Sequence, residues 1–253
     1  MPQLLVSVRS EQEATAAIAG GCDIVDIKEP NHGSLGRASF ETINEIVEVC
    51  SLERIPVSAA LGELPEWSDR DQRSVPNLSQ LPIDLSYAKV GLAGMGNRPN
   101  WEHEWLQLLN SKPTENSHSW IAVAYADHLQ ANSPTVCDVL DVVTGIGAGT
   151  FAGFLIDTFD KSSGNLFDCM SLDELVVIRK RLKQAGLLMA LAGKLDQSLV
   201  ATLANISPDV VAIRGAACEG SDRTSSVSQS RVAEFRQSLF LGEKSWQLPI
   251  EQS

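Results

Sequence analysis

Eight short apolar segments recur along the chain, at 4–8, 24–27, 57–61, 87–92, 121–127, 153–157, 187–193 and 210–215. Each is rich in valine, isoleucine, leucine or alanine and bounded by glycine, proline or polar residues, the pattern of a strand buried on both faces. Segments with helical patterning separate them. Ser10-Glu11-Gln12-Glu13 has the Ser-x-x-Glu form of a capping box before an alanine-rich run that ends at Gly20-Gly21. Further helices are expected near 39–50, over the stretch carrying Trp101, Trp105 and Leu108, near 134–144, over 171–185 closed by Gly186, and around 196–204 and 228–240. The segment 62–82, after the third strand, is polar and rich in charge and proline. Apolar strands alternating with amphipathic helices imply a parallel sheet covered by helices, and eight such units imply a single closed (β/α)8 TIM barrel. An open doubly wound sheet is the alternative. The chain's 253 residues suit one barrel, assigned to 1–240, with a tail at 241–253 that would pack across the barrel or a partner subunit.

Composition narrows the function. A formal charge of −12 argues against nucleic acid and anionic membrane as partners, so an anionic substrate would need a local patch of donors. Cys22, Cys50, Cys137, Cys169 and Cys218 are scattered and never in CxxC spacing, which fits cytosolic thiols better than disulfides or zinc. The start, Met-Pro-Gln-Leu-Leu-Val-Ser-Val-Arg, lacks a basic n-region and a long apolar run, so a cytoplasmic location is expected. The weakly polar stretch 136–156 contains Asp138, Asp141 and four glycines, well short of a membrane span. His32, His103, His118 and His128 form no metal-ligand spacing, three of them in polar contexts that suggest surface, and no metal site is expected. Gly145-Ile146-Gly147-Ala148-Gly149 superficially has the form of a dinucleotide loop, but it precedes a strand instead of following one.

In a barrel, chemistry sits at the carboxyl ends of the strands. Lys28, Lys89, Asp127, Asp157 and Arg214 all lie at or near such ends. Residues two apart on a strand share a face, so Asp26 and Lys28 stand side by side. Lysine is seldom buried unless paired or functional. An ordinary lysine, with pKa about 10.4, is free amine about once in 2,500 molecules at pH 7. Burial or a neighbouring cation can bring the pKa to about 7–8 and yield an amine able to attack a carbonyl. The plainer alternative pairs Lys28 with Asp26 or Glu29. Asp157 is a candidate acid or base, or a cap for the residues after it through Thr158 or Lys161. Lys161, in the polar loop 160–164, reads on its own as a solvated charge. Gly193 and Gly215 end the seventh and eighth strands, where many barrels bind phosphate through backbone N–H groups. Arg214 and the 220–223 loop would add positive charge, with ordinary turn chemistry the alternative for the glycines.

The chain resembles the (5-formylfuran-3-yl)methyl phosphate synthases, also called 4-(hydroxymethyl)-2-furancarboxaldehyde phosphate synthases, of methanofuran biosynthesis. Matching segments include Ala-Gly-Gly-x-Asp-Ile-Val-Asp-Ile-Lys-Glu-Pro-x-x-Gly-Ser-Leu-Gly (19–36), Val-Ser-Ala-Ala-Leu-Gly-Glu-Leu-Pro (57–65), Ala-Lys-Val-Gly-Leu (88–92) and Ala-Tyr-Ala-Asp (124–127). Leu-Ile-Asp-Thr-x-x-Lys (155–161), Ala-Leu-Ala-Gly (190–193) and Arg-Gly-Ala-Ala-Cys-x-Gly-x-Asp-Arg (214–223) follow in order. The resemblance implies a barrel that condenses two molecules of glyceraldehyde 3-phosphate into a furan aldehyde phosphate with loss of one phosphate and water. It also implies a Schiff-base lysine at Lys28, a proton acceptor at Lys89, and active residues at Asp157 and Lys161. Asp26 would orient Lys28, and no cofactor is required because the iminium is the electron sink. The expected partner is a small phosphorylated aldehyde or ketone, and barrels of this size often assemble as homo-oligomers. Lys194 stands where serine is expected in the family, and the 162–165 loop also departs. A Schiff-base aldolase of another phosphorylated sugar, or an inactive barrel serving as an interaction subunit, is the competing reading.

Overall fold

The eight apolar segments form eight parallel strands: β1 (Gln3–Val8), β2 (Ile24–Ile27), β3 (Val57–Glu63), β4 (Tyr87–Gly91), β5 (Ser119–Tyr125), β6 (Phe151–Asp157), β7 (Leu188–Leu191) and β8 (Val210–Ile213). Each pairs with its sequence neighbours, and β8 pairs with β1, so the sheet closes into a barrel and leaves no edge. The structure, a computed structural model, describes residues 1–68, 77–113, 118–162 and 164–242.

The helices are α1 (Glu11–Ala19), α2 (Phe40–Leu52), α3 (Pro65–Ser68), α4 (Trp101–Asn110), α5 (His128–Ala131), α6 (Val136–Ile146), α7 (Leu166–Cys169), α8 (Leu172–Gln184), α9 (Val200–Ile206) and α10 (Gln229–Leu241). The longer ones cover the barrel with one apolar stripe each. In α2 the buried residues are Ile43, Ile46, Val47 and Cys50, and in α8 they are Leu175, Ile178 and Leu182, the spacing of a single helical face. Their starts are set by caps: Thr135 with Asp138, and Ser171 with Glu174, form reciprocal capping boxes. The predicted box at Ser10 is only half made. Ser10 accepts the Glu13 N–H, but the Glu13 carboxylate turns to Arg9 and Arg214 instead.

Alternation along the strands divides the apolar residues between two cores. The larger lies between the outer strand faces and the helices. A smaller one fills the barrel, where Leu5, Ile24, Ala60, Val123, Leu155 and Ala212 meet. Above this plug the inward positions become polar. Ser7 stands opposite Asp26, Asp26 opposite Ser58, and Ala60 opposite Lys89 in the strand register.

In the polar segment after β3 the chain forms α3 and a short turn at Leu78–Gln80, with 69–76 outside the described residues. The expected tail at 241–253 begins inside α10, whose last residue is Leu241, and 243–253 also lie outside them. The Gly145–Gly149 segment does lead into a strand, β6. His118 is buried edge-on against Trp120, and burial pushes its imidazole down to about 4. Among the described residues no helix is long and apolar enough to cross a membrane.

Candidate active site

The carboxyl ends of the strands surround a cavity of about 460 Å³, whose walls include Asp26, Lys28, Lys89, Asp157 and Lys161. Asp26 and Lys28 both reach it because they are two apart on one chain direction, with Val25 and Ile27 turned into the outer core. Asp26, Lys28, Lys89 and Asp157 are all buried.

Asp26 is held from both neighbouring directions. Its Oδ2 accepts from Ser7 Oγ at 3.0 Å on β1, and its Oδ1 accepts from the Lys89 ammonium on β4. This corrects the expectation that Asp26 orients Lys28: the carboxylate is bonded to the other lysine. Across the cavity Asp157 Oδ1 accepts from Lys161 Nζ at 2.6 Å and from its neighbour's N–H, Thr158, at 2.8 Å. Ser34, from the loop after β2, donates to Asp157 Oδ2 at 3.0 Å and also to the Thr158 carbonyl. The Lys161 amine completes its bonds on the Thr158 carbonyl and hydroxyl, so it is folded into the wall and is not a solvated charge.

Lys28 lies between these two pairs, and among the described residues no hydrogen bond or ion pair holds its amine. Burial pushes the amine down to about 8; Asp157 and Asp26 pull the other way, and Lys161 and Lys89 add to the depression. Burial alone would raise the Asp157 carboxyl, but Lys161 and Lys28 hold it below the usual carboxylate value. A buried amine free to bond, about a tenth of it unprotonated at pH 7 rather than one part in thousands, is a nucleophile for a carbonyl carbon.

The ends of β7 and β8 supply backbone donors. Gly193 has φ of +101°, a conformation that favours glycine, and Gly215 opens a short turn whose first N–H groups have no acceptor within it. Both line the cavity. Arg214 lines the cavity too, but its guanidinium is already committed to protein acceptors. Its backbone has left strand geometry, with φ of −131° and ψ of −66°, and all three guanidinium nitrogens are bonded elsewhere. They meet the Glu13 carboxylate on α1 and the carbonyls of Ser7, Arg223 and Ser225, so Arg214 fastens β8 to the helix layer. Lys194, Arg223 and Arg231 also border the cavity. Arg231 reaches back from the first turn of α10 to Ser221 Oγ at 2.7 Å, while Arg223 touches the Gly33 carbonyl at 3.1 Å. The 220–223 loop pointed to Arg223, but nothing in the sequence separates Arg231 from an ordinary helix charge. Sequence reasoning also missed the pair in which the buried Tyr125 donates to Glu63 Oε1 at 2.6 Å. Burial raises the Glu63 carboxyl, and it raises the Tyr125 hydroxyl well above its ordinary value.

No cluster of three or more histidine, cysteine, aspartate or glutamate side chains suited to a metal occurs among the described residues.

Fold and site together define a (β/α)8-barrel protein whose mouth is a small-molecule cavity built on lysines. Solved barrels with similar backbones include a phosphoribosyl anthranilate isomerase from Thermotoga maritima, at TM-score 0.62 and 12% identity over 95% of this chain and 99% of that one. A 3-hexulose-6-phosphate synthase from Salmonella typhimurium aligns at TM-score 0.60 and 13% identity over 94% and 99%. At such identities they show the fold alone. The sequence goes further: a family model described as 4-HFC-P synthase matches residues 4–236, and the chain belongs to that family. Relatives named (5-formylfuran-3-yl)methyl phosphate synthase include that of Archaeoglobus fulgidus, 31% identical over 94% of this chain and 99% of the relative. That of Methanothermobacter thermautotrophicus is 32% identical over 93% and 98%. The relatives are synthases, and the chain is an enzyme.

Proposed function

We propose that the protein condenses two molecules of glyceraldehyde 3-phosphate into (5-formylfuran-3-yl)methyl phosphate, for a methanofuran-type cofactor, through a Schiff base on Lys28. The six carbons are conserved, and one phosphate and two molecules of water leave. The observation that carries this reading is Lys28 itself, a buried amine near pKa 8 with no bonded partner among the described residues, flanked by two lysine–carboxylate pairs.

The amine adds to a substrate carbonyl and the carbinolamine loses water, giving an iminium that acidifies the neighbouring C–H. Lys89 removes that proton. Its hydrogen bond to Asp26 lets the carboxylate take a proton from the amine and return it with little heavy-atom movement. The resulting enamine expels phosphate from the adjacent carbon, and the enol carbon so formed attacks the carbonyl carbon of the second triose, taken as its ketone isomer dihydroxyacetone phosphate. Ring closure and loss of two waters then give the furan. Asp157 and Lys161, on the opposite wall, carry protons to the departing phosphate and hydroxyl groups. Backbone N–H groups near Gly193 and Gly215 bind a substrate phosphate, aided by Lys194, Arg223 and Arg231.

The test incubates the protein with glyceraldehyde 3-phosphate, follows phosphate release and the ultraviolet absorbance of a conjugated furan aldehyde, and maps adducts after borohydride reduction. Furan formation with a reduced adduct on Lys28 is expected. An adduct without phosphate release would replace the proposal with a plain Schiff-base aldolase, and neither adduct nor turnover would refute it.

A further inference from the structure

Lys161 sits on an irregular loop, yet its amine is aimed at Asp157 and Thr158 with three bonds. A long side chain keeps such an aim only if the backbone beneath it is fixed, since holding the rotamer carries an entropic cost. The fixing group comes from the neighbouring strand. Asp127, two residues after the end of β5 and 5% exposed, accepts the N–H of Phe159 on Oδ1 at 2.6 Å. Its Oδ2 accepts the N–H of Asp160 at 2.8 Å. Both oxygens therefore hold the two residues immediately before Lys161.

Asp127 also occupies the N-cap position of α5, where an aspartate ordinarily accepts an N–H of its own helix. It makes no such bond. The side chain is turned across to the β6 loop, while the Ala126 N–H bonds to the Asp157 carbonyl at 2.9 Å and Phe159 lies edge-on against Tyr125. Ser34 holds Asp157 and Thr158 from the opposite side.

From this geometry we infer that Asp127 is a positioning residue, whose carboxylate clamps the β6 loop so that the Lys161 amine stays bonded to Asp157 at the cavity wall. The role in turnover rests on the proposed use of Asp157 and Lys161; the clamp itself does not.

The probe is Asp127→Asn, which keeps the shape but sets an NH₂ group against one of the two N–H donors. Turnover of glyceraldehyde 3-phosphate is expected to fall about ten- to a hundredfold, as for a misplaced catalytic group, with KM within about threefold of the parent. The yield of the borohydride adduct on Lys28 should be unchanged. In a Lys161→Met background the same substitution should have no further effect, because both changes act through one group. A purely structural role would instead multiply the two losses. A second readout needs no turnover: acetic anhydride labelling, read by peptide mass mapping, should modify Lys161 severalfold faster in Asp127→Asn, with the exposed Lys183 as internal reference. If Asp127→Asn does not fold, Asp127→Glu is measured in its place, and the added methylene should displace the loop and raise labelling in the same way. Wild-type Lys161 labelling in the folded variant, or independent losses in the double variant, would overturn the inference. A wild-type enzyme inactive on the triose phosphate would sink the proposed reaction and leave the labelling result to decide the clamp.

Discussion

Replacing Lys28 with methionine should make the protein more stable at neutral pH, and the size of the gain follows from the site. The amine's ordinary value of 10.5 falls to about 8 in the folded protein. The unfolded chain therefore binds more protons than the native state between these values, and native stability rises with pH across that window. Below about pH 8 the full penalty applies: the depression is worth about 3 kcal/mol at 1.36 kcal/mol per pKa unit. At pH 9.5 the same linkage leaves about 1 kcal/mol, because the native amine has by then lost its proton and only the cost of neutralising an amine of pKa 10.5 one unit below that value remains. Methionine keeps the length and apolar stem without the charge, so Lys28→Met should gain about 3 kcal/mol at pH 7 and about 1 kcal/mol at pH 9.5. Paired urea titrations at the two pH values measure this, and taking differences against wild type cancels the titration of every other group. A gain that does not shrink with pH, or a loss of stability at pH 7, would refute the claim that Lys28 carries an uncompensated desolvation cost.

Asp26→Asn removes the charge that anchors Lys89, and turnover should drop about a hundredfold while borohydride still traps substrate on Lys28, only more slowly than in wild type, read by the same peptide map. Arg214→Met should cost about 3 kcal/mol of stability in urea titration, since it strips Glu13 of a buried partner, yet leave KM unchanged because all three guanidinium nitrogens are already bonded within the protein. Arg231→Gln should do the reverse, raising KM for the phosphorylated substrate about tenfold with little change in stability, a pattern steady-state kinetics and thermal melts separate.

The sequence made the local geometry legible and left the non-local geometry hidden. Period-two alternation was enough to put Asp26 and Lys28 on one wall, and the apolar runs were enough to count eight strands. It could not pair Asp26 with Lys89. That bond depends on how the neighbouring strands register, with Ser58 beside Asp26 on one side of β3 and Ala60 beside Lys89 on the other. Arg214 was legible as a cavity residue, but its capture by Glu13 and the carbonyls of Ser7, Arg223 and Ser225, all from other segments, was hidden. Lys161 looked solvated because its neighbours in sequence are polar, while its partners Asp157 and Thr158 are held by Ser34, and the residues just before it, Phe159 and Asp160, by Asp127, both from distant segments.

The same long-range arrangement explains why Lys28 sits near 8. Burial without carboxylates drives a lysine to about 5–6. Such an amine would be abundant and nucleophilic, but its environment would equally disfavour the cationic iminium it must become. Here each carboxylate is already bonded to a lysine, so neither is free to bond a proton-bearing Lys28 outright. A cation at Lys28, whether ammonium or iminium, still feels Asp157 and Asp26, which oppose the burial and the two neighbouring lysines. The two pairs thus hold the free amine and the iminium within reach of one another near neutral pH. Removing either carboxylate should push Lys28 below 8 and slow iminium formation at the same time, a coupling that burial alone cannot produce.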